Sequence, residues 1–258
     1  MVTCQEEAII LRTRDYGESD RLITFFTKNQ GQLTGIAKGA RRSKKRFVHT
    51  LEPFSHVKVV YVERSTSGLV RIDASDLKNA FTALRGDLGR LGYASLGCEL
   101  VMEMAPERAA NPPLFSLLLQ YLQHLEHGPD PETIALLFQI RALSLSGYAP
   151  NLQACLRCGQ KLGAGERRFF AVTQGGLLCP EHCREADVQP LSPGALLLLR
   201  QAQYLPLGRL WRLRFHPQCR KECRLLLLSL MRHHLEKDLK SLKLLQQIGA
   251  PEWSRPSG

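Results

Sequence analysis

Long apolar segments are missing from this chain of 258 residues. No uninterrupted apolar run is longer than residues 195–199, far short of the roughly 20 residues needed to span a bilayer. Near the N-terminus, Gln5-Glu6-Glu7 precedes only a short apolar stretch at 8–11, so neither the basic nor the apolar part of an export signal is present. The expectation is a soluble, cytoplasmic protein. Internal repeats and low-complexity tracts are absent too, which argues against a solenoid. No phosphate-binding glycine loop and no nucleophile elbow occurs. The common signatures of nucleotide hydrolysis and acyl transfer are thus missing, and the chain reads as a non-enzyme.

Acidic residues are scarce relative to basic ones: 24 Asp+Glu against 35 Lys+Arg, a formal net charge of +11. The imbalance is uneven. Residues 1–80 carry 14 basic and 9 acidic groups, residues 81–195 carry 9 and 11, and residues 196–258 carry 12 and 4. Two basic ends around a near-neutral middle point to a polyanionic partner, most simply nucleic acid.

The first 80 residues read as β. Short runs rich in β-branched and aromatic residues at 8–12, 22–26, 33–37, 57–62 and 69–72 are separated by turn formers such as Asp15-Tyr16-Gly17 and Lys28-Asn29-Gln30-Gly31. Five short strands fit a small closed barrel, either of the oligonucleotide/oligosaccharide-binding (OB) type or SH3-like. From about residue 77 the apolar period changes to three and four, announcing helices. Pro112-Pro113 and Pro131 open two of them, at about 114–127 and 132–146. Helices resume at 193–204 and, as one long apolar stripe, over 217–248. The fold class is therefore α+β: a barrel at 1–80, a helical domain at 81–150 and 189–248, a cysteine-bearing insertion at 151–188, and a flexible tail at 249–258.

The strongest chemical signal lies in that insertion. Cys155-Leu156-Arg157-Cys158 is followed, 20 residues on, by Cys179-Pro180-Glu181-His182-Cys183. Two closely spaced cysteine pairs separated by 15–20 residues can hold Zn2+ tetrahedrally, and four thiolates leave no open position for water, so such a site is structural. A thiol–disulfide centre or an iron–sulfur cluster uses the same residue type, and His182 is a possible substitute ligand. Cys219 and Cys223, one helical turn apart, read as small buried hydrophobes.

The second signal is Lys38-Gly39-Ala40-Arg41-Arg42-Ser43-Lys44-Lys45-Arg46, with six cations in nine residues. Charges this dense suit a mobile loop that displaces counterions from a phosphate backbone. Phe47, Tyr16, Phe25 and Phe26 are candidate stacking residues, although most should be core. A further basic group comprises Arg209, Arg212 and Arg214, together with Arg220, Lys221 and Arg224 in the first turns of the long helix, where cations oppose the helix dipole.

The stretches Glu7-Ala8-Ile9-Ile10-Leu11-Arg12-Thr13-Arg14-Asp15-Tyr16-Gly17-Glu18-Ser19-Asp20-Arg21, Ala37-Lys38-Gly39-Ala40-Arg41-Arg42-Ser43-Lys44 and Leu51-Glu52-Pro53-Phe54 closely resemble the N-terminal domain of the bacterial RecO recombination-mediator family. The helical middle, and the four cysteines with Gly175-Gly176-Leu177-Leu178 before the second pair, are similar to it as well. The resemblance spans about residues 5–248. It implies an OB barrel, a helical domain and a zinc-bound insertion held by Cys155, Cys158, Cys179 and Cys183. It also implies binding of single- and double-stranded DNA, strand annealing, and help in loading the RecA recombinase onto strands coated by single-strand-binding protein. RecR and the C-terminal tail of single-strand-binding protein are the implied partners, in a nucleoid-associated cytoplasmic setting with no membrane. The DNA-contacting candidates are Arg14, Arg21, Lys38, Arg41, Arg42, Lys44, Lys45, Arg46, Arg212, Arg214 and Arg220. The rival is a zinc-containing, sequence-specific transcription regulator.

Overall fold

The computed structural model describes residues 2–43, 45–63, 68–161, 168–183 and 188–249. The tail expected at 249–258 lies outside these apart from Gly249. By internal packing the chain divides into two compact units, Met1–His127 and Gly128–Gly258. Among the described residues no helix is long and apolar enough to cross a membrane.

The first unit opens with five strands: β1 (Val2–Tyr16), β2 (Asp20–Thr27), β3 (Gly31–Ala37), β4 (His56–Glu63) and β5 (Val70–Asn79). They close into a barrel in the order β1-β2-β3-β5-β4, and β3 and β5 run parallel. This crossover order belongs to the OB barrel and not to a meander of consecutive hairpins. Closure explains why β1 is far longer than its apolar run. Residues 2–9 pair with β4, whereas residues 8–16 pair with β2. The polar stretch Thr3 to Glu7 is therefore strand because of its partner, not its composition. The barrel is filled by Ile10, Ile23, Phe25, Leu33, Val57, Val59, Tyr61 and Ile72.

Two helices complete this unit, α1 (Leu88–Met104) and α2 (Pro112–His127). Asp87 caps α1, its carboxylate accepting the Arg90 N–H at 3.0 Å. Phe115 of α2 meets Phe26 and His56 with ring centroids 6.2 and 6.3 Å apart. Gly31 is required where it stands: its φ is 69°, and a Cβ there would lie 2.2 Å from the Ala109 carbonyl oxygen.

His56 is nearly buried beside Phe115, and its ring bonds Glu7 Oε1 at 2.8 Å, with Lys78 near the same carboxylate. Burial lowers its pKa below 6.5; Glu7 opposes this and Lys78 reinforces it. The unfolded chain therefore binds this proton more readily than the folded one. Stability is fully present above about pH 6.5 and declines as the pH falls through the lowered value. The protection factors of barrel amides, corrected for the intrinsic pH dependence of exchange, should fall on acidification from pH 7 to 5, and His56→Gln should flatten that dependence. An unchanged profile in the variant would assign the acid sensitivity elsewhere.

The second unit begins with α3 (Pro131–Leu145). A four-stranded sheet follows, in the order β6 (Asn151–Cys155), β8 (Gly176–Leu178), β7 (Arg168–Ala171) and β9 (Val188–Leu191). After it come α4 (Pro193–Tyr204), a single turn α5 (Leu207–Leu210), α6 (Pro217–Leu235) and α7 (Lys240–Gln247). The long helix expected over 217–248 is thus two. Glu236 adopts φ 51° and its N–H closes onto the Arg232 carbonyl, ending α6 without the glycine or proline that would have announced the break.

The cations at the start of α6 have a structural partner. Arg224 bonds the Glu132 carboxylate, and Arg220 bonds Asp130 at 2.9 Å and approaches Glu132 at 3.6 Å. Both acids sit at the N-terminus of α3, where negative charge suits the helix dipole. The Arg224–Glu132 pair is about 90% buried on both sides, so removing one charge strands the other. Glu132→Gln should cost about 3–5 kcal/mol in urea unfolding; a loss below about 1 kcal/mol would mean that the pair is solvated.

Candidate metal centre and nucleic-acid interface

Two turns build the candidate metal centre. The first leaves β6 at Cys155 and returns through Gly159, whose φ is 70° and whose N–H donates to the Cys155 carbonyl at 2.9 Å. The second follows β8, with the His182 N–H on the Cys179 carbonyl at 3.0 Å. The parallel pairing of β6 with β8 sets the two turns side by side. Cys155 Sγ, Cys158 Sγ, Cys179 Sγ and a ring nitrogen of His182 all lie within 4.8 Å of one another. His182 Nδ1 is 3.0 Å from Cys179 Sγ and 3.9 Å from Cys155 Sγ, and Cys158 Sγ is 4.0 Å from Cys179 Sγ. Donors about 2.0–2.3 Å from a tetrahedral zinc stand roughly 3.5–3.8 Å apart, so this group needs little adjustment to close on an ion. Burial pushes the Cys155 thiol up, but the N–H groups of Cys158, Cys179 and Arg157 together pull it further down, to about 6. The turn therefore favours thiolate at neutral pH.

Cys183, expected as the fourth donor, is outside this group. Its thiol faces the Pro180 carbonyl at 3.3 Å. The physical reason is the turn. A chain that folds back with residue i+3 over residue i brings His182 to Cys179 and carries Cys183 past it. The spacing was visible: Cys179-x-x-His182 repeats the interval of Cys155-x-x-Cys158. Cys223 is fully buried and Cys219 packs at Gly194, where a Cβ would lie 2.9 Å from its sulfur, in keeping with the core reading of this pair.

The basic segment after β3 is anchored, not mobile as expected. The Gly39 N–H donates to Asp20 Oδ1 at 2.8 Å and the Arg41 N–H to the Ser19 carbonyl at 3.0 Å. Ala40, Phe47 and Leu51 insert into the barrel core. Phe25 and Phe26 are fully buried, which leaves Tyr16, 52% exposed, as the only stacking candidate of the four.

The cations differ in their freedom. Lys38, Arg42 and Lys45 are exposed, with no ion-pair partner among the described residues; Lys44 lies outside those residues. Arg41 approaches Asp15 at 3.6 Å, and Arg46 bonds the Lys38 carbonyl at 2.9 Å and covers the Phe47 ring. Arg21 is held by Glu52 at 3.0 Å, whereas Arg14 is exposed and unpaired among the described residues. In the second unit Arg212 is exposed, Arg214 bonds the Trp211 and Leu213 carbonyls, and Arg220 belongs to the ion-pair cluster with α3.

A closed five-stranded barrel of the OB type with exposed cations belongs to a class of folds that commonly takes oligonucleotides, and the chain also carries a cluster of three cysteines and one histidine able to hold a metal ion. Comparison with known proteins makes this particular. Residues 1–81 match the family model described as Recombination protein O N terminal, and residues 85–243 match Recombination protein O C terminal. The DNA repair protein RecO of Syntrophobacter fumaroxidans is 46% identical over 248 residues, covering 96% of this chain and 98% of the relative. Those of Syntrophotalea carbinolica and Bacillus pumilus are 38% and 33% identical, each covering at least 94% of both chains. The chain belongs to the RecO family of DNA repair proteins.

Proposed function

We propose that this protein is a non-enzymatic mediator of DNA repair and homologous recombination. It binds single- and double-stranded DNA, anneals complementary strands, and helps the RecA recombinase onto strands coated by single-strand-binding protein. RecR and the C-terminal tail of single-strand-binding protein are its partners in the bacterial cytoplasm, at the nucleoid. The observation that carries this reading is the combination of the family with a barrel whose cations Arg14, Lys38, Arg42 and Lys45 stand exposed and without ion-pair partners among the described residues.

Annealing needs no nucleotide. Two polyanions must be held together with their charge screened, and duplex formation supplies the free energy. The cations contribute by releasing condensed counterions, and contacts confined to phosphates position the strands without reading sequence. One zinc, held by Cys155, Cys158, Cys179 and His182, supplies a cross-link that fixes the insertion and leaves no open coordination position for catalysis. Competition binding tests the reading against that of a transcription regulator. Random-sequence DNA should compete as well as any defined sequence, whereas a preference of ~10³ or more for one duplex would favour the regulator.

A further inference from the structure

The metal cluster is open to solvent on one side. Cys155 and Cys179 are buried, at 2% and 4% exposure, whereas Cys158 and His182 are exposed. A sealed structural centre keeps its sulfurs from solutes; this one leaves a sulfur donor in their reach. That exposed sulfur also has a thiol neighbour on the other turn, because Cys158 Sγ lies 4.0 Å from Cys179 Sγ. A disulfide needs about 2.05 Å, so the first turn would have to close by about 2 Å. Space is available beside it, since a Cβ on Gly159 would meet no atom within 4 Å.

We propose that this cluster is a peroxide-sensitive fastening of the insertion: a hydroperoxide couples Cys158 to Cys179 and so withdraws two of the four donors from the metal. The inference rests on the reading of the cluster as a metal centre and adds the condition under which that centre opens. The Cys158 thiolate attacks one oxygen of hydrogen peroxide. An S–O bond forms, the O–O bond breaks, and the departing hydroxide takes a proton to become water. The Cys179 thiolate then attacks the Cys158 sulfur. The S–S bond forms, the S–O bond breaks, and the second hydroxide leaves as water on protonation. The two thiolates have together lost two electrons, peroxide has gained them, and two protons have come from solvent. A disulfide sulfur has no thiolate charge to offer a cation, so Cys155 and His182 remain, two donors short of a closed tetrahedral site.

The choice of pair follows from access and restraint. Oxidation of cysteine follows thiolate character and exposure, which makes Cys158 the point of entry. Cys155 is buried and its sulfur accepts the Cys179 N–H at 3.5 Å, so it is held where it stands. Cys183 is half-exposed, but its thiol donates to the Pro180 carbonyl at 3.3 Å. Cys98 and Cys223 are buried away from peroxide and serve as internal controls. The strands β6, β7 and β8 have only five, four and three residues, so the insertion loosens once the donors are withdrawn. The new S–S bond still joins its two turns. A dithiol reverses the step by exchange, its own two thiols becoming the disulfide.

Zinc release from the zinc-loaded, full-length protein, followed with a chromogenic chelator and paired with disulfide mapping by mass spectrometry, tests the switch. Hydrogen peroxide should release about one zinc per chain, in step with a Cys158–Cys179 peptide pair lighter by two hydrogens. Dithiothreitol with added zinc should restore the starting state, and Cys98 and Cys223 should stay reduced throughout. Cys183→Ser should release its zinc at the wild-type rate, because that thiol takes no part. Mapping the unmodified protein keeps the test independent of how any variant folds. Zinc retained while peroxide oxidises other thiols, a disulfide through Cys155 or Cys183 in place of the expected pair, or release only through irreversible sulfinic acid would overturn the proposal. Reduced protein that holds no zinc would instead mark the failure of the metal reading, and the same mapping would still support or sink the Cys158–Cys179 link.

Discussion

Replacing Arg41, Arg42, Lys44 and Lys45 together with Ala should lower the log–log salt slope of single-strand binding by roughly 3, at about 0.7 per phosphate neutralised. Arg41 counts toward this because its contact with Asp15 is long, at 3.6 Å, and exposed, and such pairs are worth little. Folding should persist, since the segment is anchored by the Gly39 N–H on Asp20 and by Ala40, Phe47 and Leu51 in the core, while the Arg41 bond to the Glu18 carbonyl is exposed and worth little. Arg21→Ala is the contrasting variant. Its guanidinium already serves Glu52 at 3.0 Å, so the slope should hardly change. A quadruple variant with wild-type affinity and slope would move the main DNA contact elsewhere, with exposed Arg212 the first candidate in the second unit.

Protein purified without added metal should carry about one zinc per chain, and Cys179→Ser should lose it. Structural zinc in small domains is bound with about 10–16 kcal/mol of apparent free energy, more than the short strands of this insertion can supply by packing. Its loss should therefore open the insertion to protease while the barrel unit stays folded. The fourth donor separates two outcomes. His182→Ala should weaken or abolish binding, whereas Cys183→Ser should retain one metal. Cobalt-substituted protein should show the absorption of three thiolates and one imidazole. Iron in place of zinc, no metal in well-folded protein, or loss of metal in Cys183→Ser but not in His182→Ala would contradict the assignment.

The fold was legible where local chemistry and tertiary structure agree. Apolar β-branched runs marked four barrel strands and the start of the fifth, β5, which continues through polar residues to Asn79, and Pro112, Pro131 and Pro193 marked helix starts. The sequence was silent where a partner decides. Thr3 to Glu7 is strand only because β4 lies alongside, and Glu236 breaks a continuous apolar stripe through a backbone angle that glutamate does not advertise. The same holds for the site. Cys155, Cys158 and Cys179 of the candidate cluster followed from spacing, but the approach of His182 to them depended on a turn that brings residue i+3 back over residue i. Arg220 looked like a DNA contact because nothing local explains a cation at a helix N-terminus. Its explanation is Asp130, 90 residues earlier in the chain.

The central claim is that this chain brings strands together without consuming a nucleotide. Its most direct test uses two complementary strands, each coated with the cognate single-strand-binding protein, mixed with the purified full-length protein in the absence of ATP. The account predicts annealing well above the rate seen with the coating protein alone, and slowing as salt is raised. Strands that remain separate, or that anneal only when nucleotide is added, would contradict it.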